Sequence, residues 1–265
     1  MLAPDLLDRR ALALVALIDV YGAPVAAPVR VVGDGIRTVP KPPGGFALLA
    51  ASGFADYEAD FAAPPPVPAL GARQLRLDLT PAGAALAPRS VALALPRDPD
   101  PAGAAHPDSL FHAAEVELLP SPRAAVAGSA CAVRVTVRRK DDGRFVENAL
   151  VRGQSEDGLF SARALTDARG EACLVFAALP ISFPGAGASI GHDLAARVVV
   201  HADPAVAAFH APDTLTAAVA AAGGRVSGHA DPDSIGAAIA PVFATGTAVR
   251  IAAGRQPALA LEWAP

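Results

Sequence analysis

The chain has 265 residues, enough for about two domains of ordinary size, and carries a formal net charge of −4 at pH 7. Hydrophobic residues make up 52% and aromatic residues only 5%, which excludes wholesale disorder and predicts thin cores of Val, Leu and Ile. The one basic group, Arg138–Lys140, is interpreted as a solvated strand end, so no nucleic-acid surface is expected.

The N-terminal region contains an apolar run from Ala11 to Ile18 that ends at Asp19. The run lacks the basic start and small-residue cleavage site of a signal peptide, and it is too short to span a membrane. We therefore interpret it as a first β-strand and expect cytoplasmic synthesis, reduced cysteines and no membrane insertion.

Apolar residues alternate with polar or small residues in run after run, and this period of two predicts strands. Turn signals rich in Gly, Pro and Asp separate the runs. The alternating sets are Leu75, Leu77 and Leu79; Val91, Leu93 and Leu95; Val133, Val135 and Val137; and Leu259, Leu261 and Trp263.

Helix signals are scarce because proline is spread along the chain. Residues 213–222 form the best helical candidate, with Asp213 as a cap and two glycines after the end. A second short helix is predicted from Asp233 to Ile239, just before Pro241.

The two halves repeat the same order of strands and turns, which predicts two β-sandwich domains in tandem. The predicted limits are residues 1–100, a linker at 101–112 and residues 113–204. Residues 205–265 are predicted to be an Ala-rich extension with one or two short helices and a terminal hairpin made of TAVRIAAG and PALALEWA. The fold class is all-β, with immunoglobulin-like sandwiches.

The stretch LTDARGEACLVF, residues 165–176, is interpreted as a tight turn followed by a strand. Gly170 supplies the conformational freedom for the turn. Cys173 and Cys131 are expected to point to different sides of the sheet, so a disulfide between them is not expected.

The stretches VTVRRKDDGRFVENALVRGQ and LTDARGEACLVF resemble the carboxypeptidase regulatory-like or transthyretin-like β-sandwich, a relative of the immunoglobulin fold. GGFALLA and SGFADYEADF in the first half resemble it again, and the resemblance covers roughly residues 12–62 and 126–200. It implies a non-catalytic spacer, adhesion or docking module and brings no site motif. The tandem joined by LPRDPDP also resembles, more weakly, accessory structural proteins of phage-tail-like contractile injection systems.

One motif suggests an enzyme. Residues 187–191, GASIG, match G-x-S-x-G, with Ser189 as nucleophile and with His192 and Asp193 directly after it. A nucleophile elbow needs a strand before the serine and a helix after it, whereas FPGAG precedes and a strand-like run follows. We interpret the motif as a Gly-rich loop, and a serine hydrolase remains the alternative from another class.

Two groups of residues raise the possibility of a metal. His201, His210 and His229 each precede an Asp closely, but their spacing matches no zinc pattern, so turn chemistry is the interpretation. The acidic residues of the second domain lack EF-hand spacing and are interpreted as solvated turns, with calcium binding as the alternative. They are Asp141, Asp142, Glu147, Glu156 and Asp157.

Trp263 is the only tryptophan and lies near the end of an alternating strand. It is interpreted either as a core residue or as an anchor in a partner, since aromatic residues dominate interface hot spots. A carbohydrate-binding module is a third option, although the chain has few aromatic side chains to form a binding platform. We predict a structural module without catalytic residues, cofactor or metal, which binds protein partners and self-associates through its extension.

Overall fold

The computed structural model describes residues 11–59, 67–180, 193–212 and 228–265, and for Glu58 and Ala59 only the backbone. The first ten residues and the predicted helix at 213–222 lie outside these ranges. The described chain is mostly β-structure, so the predicted all-β class is confirmed.

Sixteen strands are seen in the described ranges, and most coincide with the alternating runs of the sequence. They are β1 Ala13–Ile18, β2 Val29–Val32, β3 Arg37–Pro40, β4 Gly45–Ala50, β5 Arg73–Pro81, β6 Arg89–Leu95, β7 Ala114–Glu117, β8 Cys131–Arg139, β9 Phe145–Glu147, β10 Leu150–Ser155, β11 Ser161–Leu165, β12 Glu171–Phe176, β13 Leu194–His201, β14 Ala208–His210, β15 Thr247–Ile251 and β16 Ala258–Trp263. The helices in the same ranges are α1 Ala55–Ala59 and α2 Pro232–Ala238, with 3₁₀ turns at Pro101–Gly103 and Phe243–Thr245.

The described residues form two compact units, and neither is continuous in sequence. One contains residues 11–18, 22–59, 67–80 and 91–117, and the other contains 19–21, 81–90 and the described residues from 118 onward. The domain limits at residues 100, 113 and 205 stay predictions.

The first unit contains a sheet of order β3-β4-β1-β7. Strand β1 pairs antiparallel with β4 and parallel with β7. A further sheet has the order β2-β5-β6. Side chains from β1, β4, β5 and β6 meet in one apolar cluster, so the sheets share a core; its buried members are Leu12, Ala13, Leu48, Ala51, Phe54, Tyr57 and Leu95.

The second unit is a sandwich of two sheets. One has the order β11-β10-β13-β15, and the other has the order β12-β8-β9-β14, with β16 also paired to β8. Val135 and Leu174 from the second sheet and Val151, Val198 and Ile251 from the first lie in the same buried cluster. The face-to-face burial of apolar side chains is the arrangement that the alternating sequence predicts.

The turn at Asp167–Gly170 joins the two sheets of this sandwich and behaves as predicted. The Asp167 carboxylate accepts hydrogen bonds from the backbone N–H groups of Arg169, at 2.8 Å, and Glu171, at 3.1 Å. Gly170 has a φ of 66°, and a Cβ there would lie 2.3 Å from the Val137 carbonyl oxygen. Only glycine satisfies both requirements.

The predicted C-terminal hairpin is wrong. The two runs form β15 and β16 as expected, but β15 pairs antiparallel with β13 and β16 pairs parallel with β8. The two strands therefore lie in different sheets of the sandwich. Strand alternation is local and was read correctly, whereas the choice of partner depends on free edges elsewhere in the fold.

The second predicted helix is confirmed as α2, although it begins slightly earlier. Asp231 is its N-cap, and Pro232 occupies the first turn, where a missing N–H costs no intrahelical bond. Ile235 of this helix packs with Leu119, Leu150, Leu165 and Ala230, so α2 covers part of the outer face of the β11-β10-β13-β15 sheet.

Candidate interaction surface

Arg89 is fully buried, and its charge is paired within the second unit. Its Nη2 donates to Asp231 Oδ1 at 3.1 Å and to Asp233, and its Nε donates to the Ser90 carbonyl at 3.0 Å. Arg163 of β11 donates to the same Asp233 carboxylate. We call these four charged residues the Arg89 clamp; they tie the start of β6 to α2 and to β11.

Asp233 shows the electrostatic effect of the clamp. Burial raises the pKa of its carboxyl, but the charges and hydrogen bonds of Arg89 and Arg163 together outweigh the burial and hold the pKa below its usual value. The carboxylate is thus kept ionised by two cations, which is the arrangement of a structural ion cluster. Its donors and acceptors are directed at one another.

Glu147 corrects the interpretation of the acidic residues as solvated turns. It is fully buried in β9, and its Oε2 lies 2.7 Å from Nε2 of His210 on β14. The neighbouring Asn148 donates from Nδ2 to the carbonyls of Val206, at 3.1 Å, and Gly228, at 2.8 Å. These polar groups join β9 to the segment around β14. The residue pattern did not predict this burial, because Glu147 lies only a few residues after the exposed turn at Asp141 and Asp142.

The other acidic residues of that group lie in turns, as predicted. Asp142 contacts Arg144, with a carboxylate oxygen 2.7 Å from Nε, and Asp157 accepts from the backbone N–H of Leu159 at 3.0 Å. Glu156 lies 3.6 Å from Arg197. These contacts order loops, and the Asp142 and Glu156 carboxylates lie beside arginines.

Strand β16 has one edge paired and one edge open in the described part of the chain. The carbonyls of Pro257 and Trp263 accept hydrogen bonds from Arg134 and Lys140 of the β8 side, at 2.8 and 2.9 Å. In a parallel pair the backbone N–H and C=O of one residue point to the same side. The backbone N–H and C=O groups of the odd-numbered residues of β16 therefore point toward β8. The N–H and C=O groups of Ala260 and Glu262 therefore point to the open edge.

Strand β13 also extends beyond its partner. Its pairing with β15 runs from Leu194 to Val198, while β13 itself continues to His201. Within the described ranges, Val199–His201 have a strand on the β10 side only. The end of β13 is thus a second stretch of strand edge without a strand beside it.

Two adjoining hollows lie along these edges. The larger, of about 730 Å³, is lined by three stretches of chain, Val198–His201, Arg138–Lys140 and Ala260–Glu262, together with residues between α2 and β15. The smaller, of about 370 Å³, continues toward Trp263 and shares Val200, His201 and Glu262 with the larger. We call the two together the β16 groove.

The charged side chains of the β16 groove are mainly basic. Arg138 stacks over the ring of Phe145 with its charge exposed, and Lys140 is exposed and forms no ion pair among the described residues. Arg139 contacts Asp141 at 2.6 Å and Asp142 at 3.5 Å, so its positive charge is compensated by carboxylates of the adjacent turn. Glu262 is the acidic side chain of the lining.

Two walls of the groove carry buried nitrogen atoms that have no hydrogen-bond partner among the described residues: Arg139 Nε and His201 Nε2. Burial lowers the pKa of His201, and the nearby charge of Arg152 lowers it further. A neutral imidazole facing a positive field accommodates an anion more easily than a cation. Buried polar atoms are usually paired, so these two atoms mark a place along the open groove where the described part of the chain supplies no hydrogen-bond partner.

Trp263 lies at the far end of the groove and is only 7% exposed. Its ring stacks on Phe209 with centroids 5.7 Å apart, and the pair belongs to the sandwich core. This burial favours the core position of the two alternatives, while a partner contact through Trp263 stays a prediction. Trp263 also lines the smaller hollow.

The remaining candidate residues do not gather into a site in the described ranges. Residues 187–191 with Ser189 and His192 lie outside them, and Asp193 is near Arg255, at 3.6 Å. No three His, Cys, Asp or Glu side chains of the described residues approach one another closely enough to hold a metal ion. Asp203 and Asp231 take the predicted turn roles, since each accepts from the backbone N–H two residues on.

The two cysteines are free and buried, and they lie in different apolar clusters. Cys131 packs into the sandwich core, and Cys173 packs with Ala130, Ala132 and Val175 on the other side of the sheet. The prediction that they point to different sides is confirmed. Burial is the main cause that raises the pKa of each thiol.

Of the helices in the described ranges, none has the length and apolar character needed to cross a membrane.

Comparisons with known proteins give little. No family model matches the chain, and no curated protein matches its sequence significantly. Among solved structures, the chain is similar to the Bacillus anthracis TIE protein, with a TM-score of 0.26 and 10% identity over 97% of this chain and 34% of that one. It thus spans about a third of the TIE protein chain.

The chain is also similar to a mutant of the shaft pilin SpaA from Lactobacillus rhamnosus GG, with a TM-score of 0.23 and 11% identity over 96% of this chain and 97% of that one. At such TM-scores neither similarity identifies a fold or a function. The fold is therefore taken from the sheet topology alone.

Proposed function

We propose that this protein is a non-catalytic interaction module of a larger protein assembly and that it binds a partner protein along the β16 groove. The observation that carries the proposal is the open edge of β16 beside a hollow of about 730 Å³. An exposed strand edge presents backbone donors and acceptors in a row, and an extended segment of a partner satisfies them by adding a strand.

The rest of the second unit supports a passive, rigid role. The Arg89 clamp and the Glu147–His210 contact use their polar groups to join elements of the same unit. Side chains that pair with one another within the unit restrict the motion of the scaffold. A preorganised scaffold loses less conformational entropy on binding.

The finer assignment is an accessory part of a phage-tail-like contractile injection particle, made in the cytoplasm and carried in the released particle. Its support is the tandem of sandwich-like sequences joined by LPRDPDP. The assignment predicts that the protein sediments with purified particles and is released by dissociating them. Recovery only in the unsedimented fraction would contradict it.

The interaction role is tested by site-specific cross-linking in the cells that make the protein. A photoreactive residue in place of Glu262, on the open edge, should give one discrete higher-mass adduct with a partner protein. The same residue in place of Leu159, which is 77% exposed on a distant loop, is the control and should give none.

Ala260→Pro completes the test, because it removes one N–H from the open edge and leaves the bonds to β8 intact. The adduct at position 262 should disappear in this variant. Equal adducts at positions 262 and 159, or an adduct that survives Ala260→Pro, would contradict the proposed surface. An adduct with a second copy of the chain would show self-association instead.

A further inference from the structure

The β16 groove has features that select among extended segments. Its open edge belongs to a strand of six residues, Ala258–Trp263, and a strand advances about 3.3 Å per residue, so a matching segment is about six residues long. Along β16 the inward side chains are Leu259, Leu261 and Trp263, and the outward ones are small or acidic. An added strand would continue this alternation.

The electrostatics of the groove are set by cations on more than one element. Three of them, Arg138, Arg139 and Lys140, lie at the end of β8. The charge of Arg152 on the neighbouring strand β10 lowers the pKa of His201, in addition to the effect of burial. Opposed to them are Glu262 in the lining and Asp141 and Asp142, which pair with Arg139. Lys140 keeps its charge free of ion pairs within the described ranges.

His201 occupies the junction of the two hollows, together with Glu262 and Val200. Although Glu262 shares both hollows with it, the charge that perturbs the imidazole is that of Arg152. In the part of the chain that the structure describes, His201 Nε2 has no hydrogen-bond partner. A carboxylate placed here would meet a positive potential and an unused nitrogen.

We propose that the partner segment is acidic: an extended stretch that adds to the open edge of β16 and places an Asp or Glu side chain between His201 and Lys140. This rests on the proposed function, because it specifies the partner of the same groove.

The test begins with a displayed library of random twelve-residue peptides selected on the whole protein. We expect the selected peptides to alternate apolar residues with Asp or Glu. One of them is then made with acetylated and amidated ends, which removes terminal charges, and its affinity is measured by fluorescence anisotropy. Changing its acidic residue to the amide should weaken binding about tenfold, as expected for loss of a charge-assisted hydrogen bond.

Variants of the protein locate the site. Ala260→Pro should weaken binding at least about tenfold by removing an edge donor, and Lys140→Gln and His201→Leu should each weaken it about threefold to tenfold. Arg255→Gln, a charge change at an exposed arginine outside the groove, should leave the affinity unchanged. Thermal unfolding of each variant shows that it remains folded.

Three results would overturn the inference: selected peptides rich in Lys or Arg, binding that survives Ala260→Pro, or a stable dimer in light scattering that Ala260→Pro dissociates. If these appear while the cross-link at position 262 is found, the interaction role stands and only the acidic segment is wrong. If no peptide is selected and no cross-link forms, both proposals fail.

Discussion

The two sides of the second unit differ in how far their polar groups are paired. At the Arg89 clamp a fully buried arginine meets two carboxylates, and one of those carboxylates meets a second arginine. At the β16 groove two buried nitrogen atoms have no hydrogen-bond partner, and a strand edge is open, as far as the described residues go. The charged groups of the clamp thus contact one another, whereas the groove leaves polar groups without a partner in the described ranges; a third such atom, Arg152 Nη1, lies near Gly236 of α2.

This difference separates stabilising residues from binding residues in a chain without a recognisable site motif. Where every polar group is paired within the unit, a substitution should mainly affect folding. Where groups are left unpaired beside a hollow, a substitution should mainly affect binding.

Arg89→Met should be the most damaging change, because it removes the fully buried cation between Asp231 and Asp233 and leaves the mostly buried Asp231 carboxylate without its arginine. The expected loss is about 3–5 kcal/mol of unfolding free energy, measured by urea denaturation. Arg255→Met is the matched control, since Arg255 is 62% exposed and lies 3.6 Å from Asp193, and it should cost less than about 1 kcal/mol. Equal losses in the two variants would remove the basis for calling the clamp structural.

His210→Leu should cost about 1–3 kcal/mol, because it removes the imidazole that lies 2.7 Å from the fully buried Glu147 carboxylate. The loss should be visible as a lower urea midpoint. The double variant His210→Leu with Glu147→Leu should recover part of it, since both polar partners are then replaced by apolar groups. If the loss of unfolding free energy in the double variant equals or exceeds the sum of the losses in the two single variants, a direct contact is contradicted.

Acid should weaken the clamp through Asp233. Its folded-state pKa lies below the unfolded value of about 3.8, so the stabilisation is present above the unfolded pKa and is lost as the pH falls through the folded one. Asp233→Asn should therefore reduce the loss of unfolding free energy between pH 7 and strongly acidic buffer. Asp142→Asn, at an exposed loop pair with Arg144, should change that loss less; the reverse order would assign the acid sensitivity to the loops.

His201→Leu should have the smallest effect on folding, in spite of replacing a polar side chain that is partly buried. Its Nε2 has no partner to lose, so the unfolding free energy should change by less than about 1 kcal/mol or rise. The comparison with His210→Leu is direct, because the substitution is the same. A loss of unfolding free energy as large as that of His210→Leu would mean that His201 makes a stabilising contact within the unit, as His210 does.

The local features of the fold were readable from the sequence. The alternating runs gave the strands, the Asp cap and the proline gave α2, and Gly170 gave the turn that no other residue could form. These succeed because side-chain periodicity and backbone freedom are properties of a few neighbouring residues.

The pairing of elements was not readable in the same way. β15 and β16 are strands as predicted, yet they join different sheets, and Glu147 is buried by a histidine far along the chain. The groove likewise arises because β13 extends beyond its pairing with β15 and because β16 pairs with β8. No local pattern encodes which edge remains open, because that depends on the partners of every other strand.

The Arg89 clamp also imposes an order on synthesis. Arg89 bonds to carboxylates 142 and 144 positions later in the chain, and the second unit contains residues 81–90 as well as those after 118. At a translation rate of about 5–20 residues per second, Arg89 waits on the order of 10 s for α2 to be made. A fragment that starts at residue 113 would omit the arginine and leave Asp231 and Asp233 without it, so the sandwich of such a fragment should be less stable than that of the longer chain.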